Sequence, residues 1–322
     1  MNGTLTGVAG ITVGHATDLE AITGCTAILC EAGAVGGVDA RGTATGLLGV
    51  DALAPLHLVP EVHGLLLAGG SAFGLMAAGG MMRYLEERGV GFDVGVARIP
   101  IVAAAILFDL SIGDARRRPD AAMAYEACRR ASSEPVPEGS VGAGTGATVG
   151  KVRGLERAMK GGIGSASTAL PGGVVVAALA AVNAIGDVRD PATGRLVAGT
   201  RSADDPRTLA DSARLMREGM DRRVAWFRNT TLAVIATNAR LTKTAATKVA
   251  QVGHDGLARA ITPVHTSVDG DTVFALATGQ AEADLDAVCV AGAEAVAAAV
   301  LRAVKTATGL GGVPAWQDLF GG

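Results

Sequence analysis

The sequence predicts an α+β fold, with blocks of strands and blocks of helices sharing a core. Three observations point there. Residues 62–68, 174–182 and 232–236 are continuous apolar, largely β-branched runs of the kind that form buried strands. Elsewhere apolar residues recur at helical spacing, as with Leu285, Val288, Val296 and Val300. The chain has 322 residues, 49% hydrophobic and 18% charged, enough for one large core or two small domains, and no linker divides it. Its 46 glycines are scattered rather than periodic, which suggests tight turns and close backbone approaches.

In chain order, residues 8–14 and 25–31 read as two strands, with Gly33, Gly36 and Gly37 turning the chain into a third. The strand at 62–68 ends at Gly69-Gly70-Ser71, and an alanine- and methionine-rich helix follows to Arg88, stopped by Gly89. Ser71 reads as a cap and turn, because Phe73 stands where a nucleophile elbow needs glycine. Residues 98–109 are apolar after Pro100 and lead into Arg116-Arg117-Arg118, a solvated surface turn. Pro119 opens a helix running through Ala122, Tyr125, Ala127 and Cys128, and Pro135 and Pro137 mark the loop after it.

Residues 139–151 carry Gly142-x-Gly144-x-x-Ala147, a loose dinucleotide fingerprint with no clear strand before it. Gly150-Lys151 lacks the flanking residues of a phosphate loop. The alternative is a backbone-hugging loop that delivers Lys151 to a site. Strands at 162–167 and 174–183 follow, joined by Pro171-Gly172-Gly173, with Asn183 emerging at the second one's end. Residues 187–206 read as a surface loop. Asp205 as N-cap and Pro206 at the first helical position then begin a helix, whose apolar face is Leu209, Ala213, Met216, Met220, Val224 and Phe227. Thr230 therefore sits where a helix has ended and the core strand at 232–236 begins. A helix near 244–261, a strand at 272–278 and a helix from about 282 to 306 complete the chain, with Gly309 closing the last.

A net charge of −3 and 3% aromatic residues argue against nucleic acid as a partner. The four cysteines show neither a CxxC pair nor metal-ligand spacing and read as buried hydrophobes in a reducing compartment. No basic segment followed by an apolar one opens the chain, and its apolar runs are too short to span a bilayer. The expectation is a soluble, cytoplasmic protein that needs no membrane. Five scattered histidines assemble no Ser/His/Asp triad from spacing.

If the chain were cut before Thr230, one residue at the rim of a sheet would carry both a hydroxyl and a free α-amine. A threonine so placed becomes a nucleophile with its own amine as base. Asp269-Gly270-Asp271 precedes the strand at 272–278. Two carboxylates two residues apart on extended chain share a side, and the glycine lets another backbone come close. A turn or a weak cation loop is the alternative, although too few further carboxylates lie nearby to complete a calcium site.

The stretch Asn229-Thr230-Thr231-Leu232-Ala233-Val234-Ile235-Ala236-Thr237-Asn238 resembles the processing site of a family of self-cleaving amide hydrolases. That family holds the L-aminopeptidase/D-esterases, the β-peptidyl aminopeptidases and the nylon-oligomer (6-aminohexanoate-oligomer) hydrolases. The resemblance extends over nearly the whole chain. It includes Gly10-Ile11-Thr12-Val13-Gly14-His15, Gly69-Gly70-Ser71-Ala72-Phe73-Gly74-Leu75, Phe108-Asp109-Leu110, the 142–151 loop, Val182-Asn183-Ala184 and Asp269-Gly270-Asp271.

The resemblance implies a four-layer αββα sandwich formed by one catalytic domain over residues 1–322. It also implies autocleavage between Asn229 and Thr230, giving segments 1–229 and 230–322. Thr230 would be the nucleophile, Asp269 and Asp271 would orient and tune its amine, Lys151 would supply positive charge, and Asn183 would donate to the oxyanion. No cofactor or metal is implied, and the expected assembly is a homo-oligomer, a tetramer of processed heterodimers. Phe108 departs from the tyrosine that relatives often carry there. Thr230 with Asp269-Gly270-Asp271 points to ω-amino-acid oligomers or short peptides as substrates, with the two aminopeptidase branches as the alternative. Acyl transfer of the ornithine-acetyl type, or non-catalytic binding of a small molecule, are the remaining rivals.

Overall fold

Alternation along the strands decides the layers. The computed structural model describes residues 2–219 and 229–321. Its principal elements are β1 (Thr12–Asp18), β2 (Thr23–Ala40), β3 (Leu47–Leu48), β4 (Val62–Ala68), α1 (Ala78–Glu87), β5 (Val102–Ile106) and α2 (Ala121–Arg129). After them come β6 (Gly162–Leu170), β7 (Val174–Asn183), α3 (Ser212–Glu218), β8 (Thr230–Ala239), α4 (Lys243–Ala260), β9 (Thr272–Ala281) and α5 (Leu285–Thr306).

On β7, Val176, Ala178, Ala180 and Val182 face the helices, packing with Val249 and Leu257 of α4 and Val296 and Val300 of α5. The intervening Ala177, Leu179 and Ala181 face the other way and meet Ile28, Leu65 and Leu67 of a second sheet. That second sheet turns Cys25, Ala27, Leu29 and Leu66 outward against Met81 and Leu85 of α1 and Ala124 and Ala127 of α2. Each sheet is thus buried on both faces, which explains runs without a polar alternate. The result is the expected α+β sandwich with layers αββα.

The hydrogen-bonded path runs β6-β7-β8-β9-β2-β4-β5-β3, with β1 also on β2. β2 belongs to both sheets. Its residues 23–29 pair with β1 and β4, and its residues 35–40 pair with β9, with an irregular register between Leu29 and Ala34. The expected third strand after Gly33, Gly36 and Gly37 is therefore the continuation of the second, 18 residues long in all. Gly37 serves close packing instead of a turn: a Cβ there would lie 2.3 Å from the backbone of Ala246 and Thr247 on α4.

Further expectations are corrected. Residues 187–206 contain short paired strands, Asp187–Arg189 and Leu196–Ala198. Asp187 is fully buried, accepting from Thr200 N and from Ser212 N and Oγ. Asp205 caps a turn, accepting from Arg207 N and Thr208 Oγ1, and the helix starts later, behind Asp211, whose carboxylate accepts from Arg214 N. Met220, Val224 and Phe227 lie outside the described residues. Ser71 makes no capping bond. Gly70 holds the N-cap position of a 3-10 stretch, Ser71–Ala77, and Ser71 itself has φ +55°.

Candidate active site

Strand direction gathers the residues singled out in the sequence. β8 and β9 run parallel with α4 between them, so their first residues lie at one rim of the sheet, with Leu232 opposite Thr272 and Asn229 bridged to Asp269. β7 runs antiparallel to β8 and ends at that rim, with Asn183 in register with Thr230. Lys151 joins them because the loop before it is stitched just beyond β7: Gly150 N donates to Gly186 O and Lys151 N to Ile185 O. Every one of these residues is buried, from Asn183 at 0% exposure to Lys151 at 5%.

The peptide between Asn229 and Thr230 is the centre of the arrangement. Thr230 Oγ1 donates to the carbonyl oxygen of Asn229 at 2.5 Å, and Gly270 N donates to the same oxygen at 3.0 Å. Gly270 has to be glycine for this approach. A Cβ there would come 2.5 Å from Ala44 O and 2.7 Å from Thr230 Oγ1.

The two aspartates flanking Gly270 are held apart by different partners. Asp271 Oδ1 accepts from Thr231 N at 2.7 Å, while Oδ2 accepts from His265 N at 3.0 Å and lies 2.9 Å from His265 Nδ1. Asp269 Oδ2 accepts from Thr266 N and, at 2.5 Å, from Thr266 Oγ1, and its Oδ1 accepts from Ile185 N at 3.3 Å. Burial, reinforced by the negative charge of Asp271, pushes the Asp269 carboxyl up to about 7. The bonds from Thr266 and Ile185 and the charge of Lys151 pull the other way.

Lys151 Nζ donates to Asn183 O at 2.9 Å and to Asn183 Oδ1 at 2.7 Å. Asn183 Oδ1 also accepts from Thr148 N, and its Nδ2 donates to Phe108 O at 3.0 Å. Asn183 therefore orients the Lys151 ammonium, and its own amide nitrogen is engaged by the backbone of Phe108. A cavity beside this group is walled by Phe108, Ile112, Thr148, Lys151, Leu155 and Asn229.

The glycine loop before Lys151 packs on protein rather than leaving a cradle. A Cβ on Gly144 would lie 2.5 Å from Ile163 N. Lys160, fully buried, donates from Nζ to Thr145 O and Ala147 O, both at 2.7 Å, and braces the loop from below. Burial lowers its ammonium to about 7, with Asp109 opposing. Among the described residues no cluster of His, Cys, Asp or Glu could hold a metal ion.

Sequence reasoning anticipated Thr230, Asn229, Asp269, Asp271, Lys151 and Asn183, and they do meet. It missed the Gly270 N–H, which no side-chain pattern announces, and it missed Thr266, Lys160 and His265. The one available signal for His265 was its position four residues before Asp269.

A family model described as peptidase family S58 matches residues 3–315 of the chain. The chain belongs to peptidase family S58. Among its S58 relatives is a protein of Mycobacterium tuberculosis described as an uncharacterized aminopeptidase, 42% identical over 348 residues, covering 99% of this chain and 98% of that one. A 6-aminohexanoate-oligomer endohydrolase of Kocuria sp. is 34% identical over 274 residues, covering 84% of this chain and 74% of the relative. Among solved structures, the L-aminopeptidase D-Ala-esterase/amidase of Ochrobactrum anthropi, described as a variant of the Ntn hydrolase fold, superposes with a TM-score of 0.74. It is 21% identical and covers 97% of this chain and 88% of its own. A Burkholderia sp. beta-aminopeptidase gives 0.69 at 22% identity, covering 95% and 87%. This S58 member is an amide-bond hydrolase on the Ntn hydrolase fold.

Proposed function

We propose that the chain cuts itself between Asn229 and Thr230 and then works as a threonine-nucleophile amidase. The observation that carries this reading is the Asn229 carbonyl, which receives the Thr230 hydroxyl and the Gly270 N–H on one oxygen. In the first reaction Thr230 Oγ attacks the Asn229 carbonyl carbon, and the Gly270 N–H stabilises the oxyanion that develops. The Thr230 nitrogen departs carrying the hydroxyl proton, leaving an ester that water opens to a carboxylate on Asn229. The products are segments 1–229 and 230–322.

In the second reaction the freed Thr230 α-amine, ordinarily of pKa about 7.7–8.0, takes the hydroxyl proton as Oγ attacks a substrate amide. Asp269 and Asp271 orient that amine, Lys151 contributes positive charge, and Asn183 both holds Lys151 and lies opposite Thr230 in the ladder. The substrate amine leaves with a proton, and water hydrolyses the acyl-Thr230 ester. The apolar walls given by Phe108, Ile112 and Leu155 suit a methylene chain, which favours ω-amino-acid oligomers of the 6-aminohexanoate kind. The greater identity to the mycobacterial relative supports a second reading, an aminopeptidase acting on short peptides.

Intact-mass analysis tests the processing step. The wild-type chain should yield two fragments meeting at Asn229/Thr230, and Thr230→Ala should stay whole. A Thr230→Ala protein that still gives both fragments would remove the proposal. N-acetylated oligomers separate the substrate readings, since an aminopeptidase requires the free amine and an internal amidase does not.

A further inference from the structure

An unbroken line of side chains leads away from Asp271. Asp271 Oδ2 lies 2.9 Å from His265 Nδ1, His265 Nε2 lies 3.2 Å from His254 Nδ1, and His254 Nε2 lies 2.9 Å from the backbone oxygen of Asp39. The two ends set the proton count. A backbone carbonyl can only accept, so His254 Nε2 carries a hydrogen. In a neutral imidazole Nδ1 is then bare, and it accepts from a hydrogen on His265 Nε2.

His265 Nδ1 in turn faces a carboxylate, which also accepts. Three links need three hydrogens, and two neutral imidazoles supply two. The third proton resides on Asp271, on His254 or on His265. Asp271 already serves as an acceptor on both carboxylate oxygens, Oδ1 from the backbone N–H of Thr231 and Oδ2 from that of His265. His254 is fully buried, and that burial pushes its imidazole down to about 4. His265, with its side chain 18% exposed, is where the charge can be hydrated.

We propose that His265 is a positioning residue of this site, an imidazolium whose pairing with Asp271 lowers the negative charge facing the Thr230 α-amine. The inference rests on the reading of Thr230 as nucleophile and base. An amine facing two anions is held as ammonium and cannot act as a base, and a cation beside one of them relieves that. The other charges around the line are Asp39, whose Oδ2 is 3.4 Å from His254 Nε2, and Arg41, paired with Asp39 at 3.0 Å. Asp269 and Lys151 complete the set on the side of the sheet rim. His265 has φ +57°, a left-handed conformation that carries its N–H and its ring to the same carboxylate oxygen.

His265→Asn is the discriminating variant. Asparagine is at ease in the left-handed region, and its Nδ2 can donate where Nδ1 did, but it carries no charge. The acidic limb of kcat/KM should move up by about one pH unit, with turnover approaching that of the wild type above it. A uniform loss at every pH with an unmoved limb, or a limb displaced downward, would overturn the proposal. Nitrogen-15 NMR of ring-labelled wild-type protein, recorded where the enzyme turns over, reads the charge directly. One imidazolium should be present and vanish in His265→Asn, with His254 as the Nε2–H tautomer. Two neutral rings would sink the inference and leave the amidase reading untouched. Fragments from Thr230→Ala would do the reverse, removing the amidase reading while the NMR assignment stood.

Discussion

Gly270→Ala tests the geometry at the Asn229–Thr230 peptide without altering any ionisable or nucleophilic group. The backbone at Gly270 is not left-handed, so alanine meets no torsional objection, and the whole effect comes from the added methyl. It would stand 2.5 Å from Ala44 O and 2.7 Å from Thr230 Oγ1, short of ordinary contact by roughly 0.7 Å or more. One neighbour is backbone, so the Thr230 side chain or the 269–271 segment has to move. A misplacement on the order of 1 Å costs about a hundredfold in rate, or about 2.7 kcal/mol of barrier. Overpacking should also cost about 1–3 kcal/mol of stability.

The assay is a time course of intact mass on freshly made protein, with a urea melt to confirm that the variant is folded. Gly79→Ala is the control. It sits in α1 with nothing beyond its own stretch of helix within 4 Å of the new methyl, so it should behave as wild type in the same assay and gain up to about 1 kcal/mol from helix propensity. A folded Gly270→Ala chain that processes within about twofold of wild type would refute the idea that Oγ is aimed by close packing.

Asp269→Asn and Asp271→Asn should each lower turnover of the processed enzyme by more than about tenfold, or about 1.4 kcal/mol, with circular dichroism unchanged; full activity in both would make the segment an ordinary turn. Because burial raises the Asp269 carboxyl from 3.8 to about 7, the folded state holds a proton there that the unfolded state has lost. Its contribution to stability is therefore greatest below the ordinary carboxylate range and declines as pH rises through about 7, so Asp269→Asn should flatten the urea midpoint across that window. Thr266→Val, which deletes a hydroxyl donor to Asp269, should push that carboxyl higher still, as read by carbon-13 NMR of the carboxyl carbon. Selective acetylation of the Thr230 α-amine, verified by peptide mass, should abolish hydrolysis and leave the fold intact; surviving turnover would assign the base elsewhere.

The parts of the molecule legible in the sequence are those governed by local pattern. The apolar runs ending at Ala68, Asn183 and Ala236 become central strands because both of their faces are covered, and a run with no polar alternate says as much. Thr230 stands at the start of such a run, so its place at a rim could be foreseen. Gly36 and Gly37 misled because a glycine pair reads as a turn, whereas the reason for Gly37 is α4, more than 200 residues later in the chain. Asp205 misled because an acidic residue before proline suits a cap, yet its carboxylate is used in a local turn. His265 and His254 read in the sequence as merely scattered because two histidines 11 residues apart carry no spacing signal. Their contact depends on how the segment after α4 folds back on it.

The strand order has a consequence for molecularity. β8 and β9 come from the part of the chain after Thr230, yet they are flanked by β7 on one side and β2 on the other, both from the part before it. A cut at Asn229/Thr230 leaves the smaller piece clasped in the middle of a sheet, joined to the larger by two full ladders. Melting such a species releases two chains, and its recovery is a second-order reaction between them. Diluting the processed protein should therefore lower its Tm, whereas the uncut Thr230→Ala chain should melt at the same temperature at every concentration.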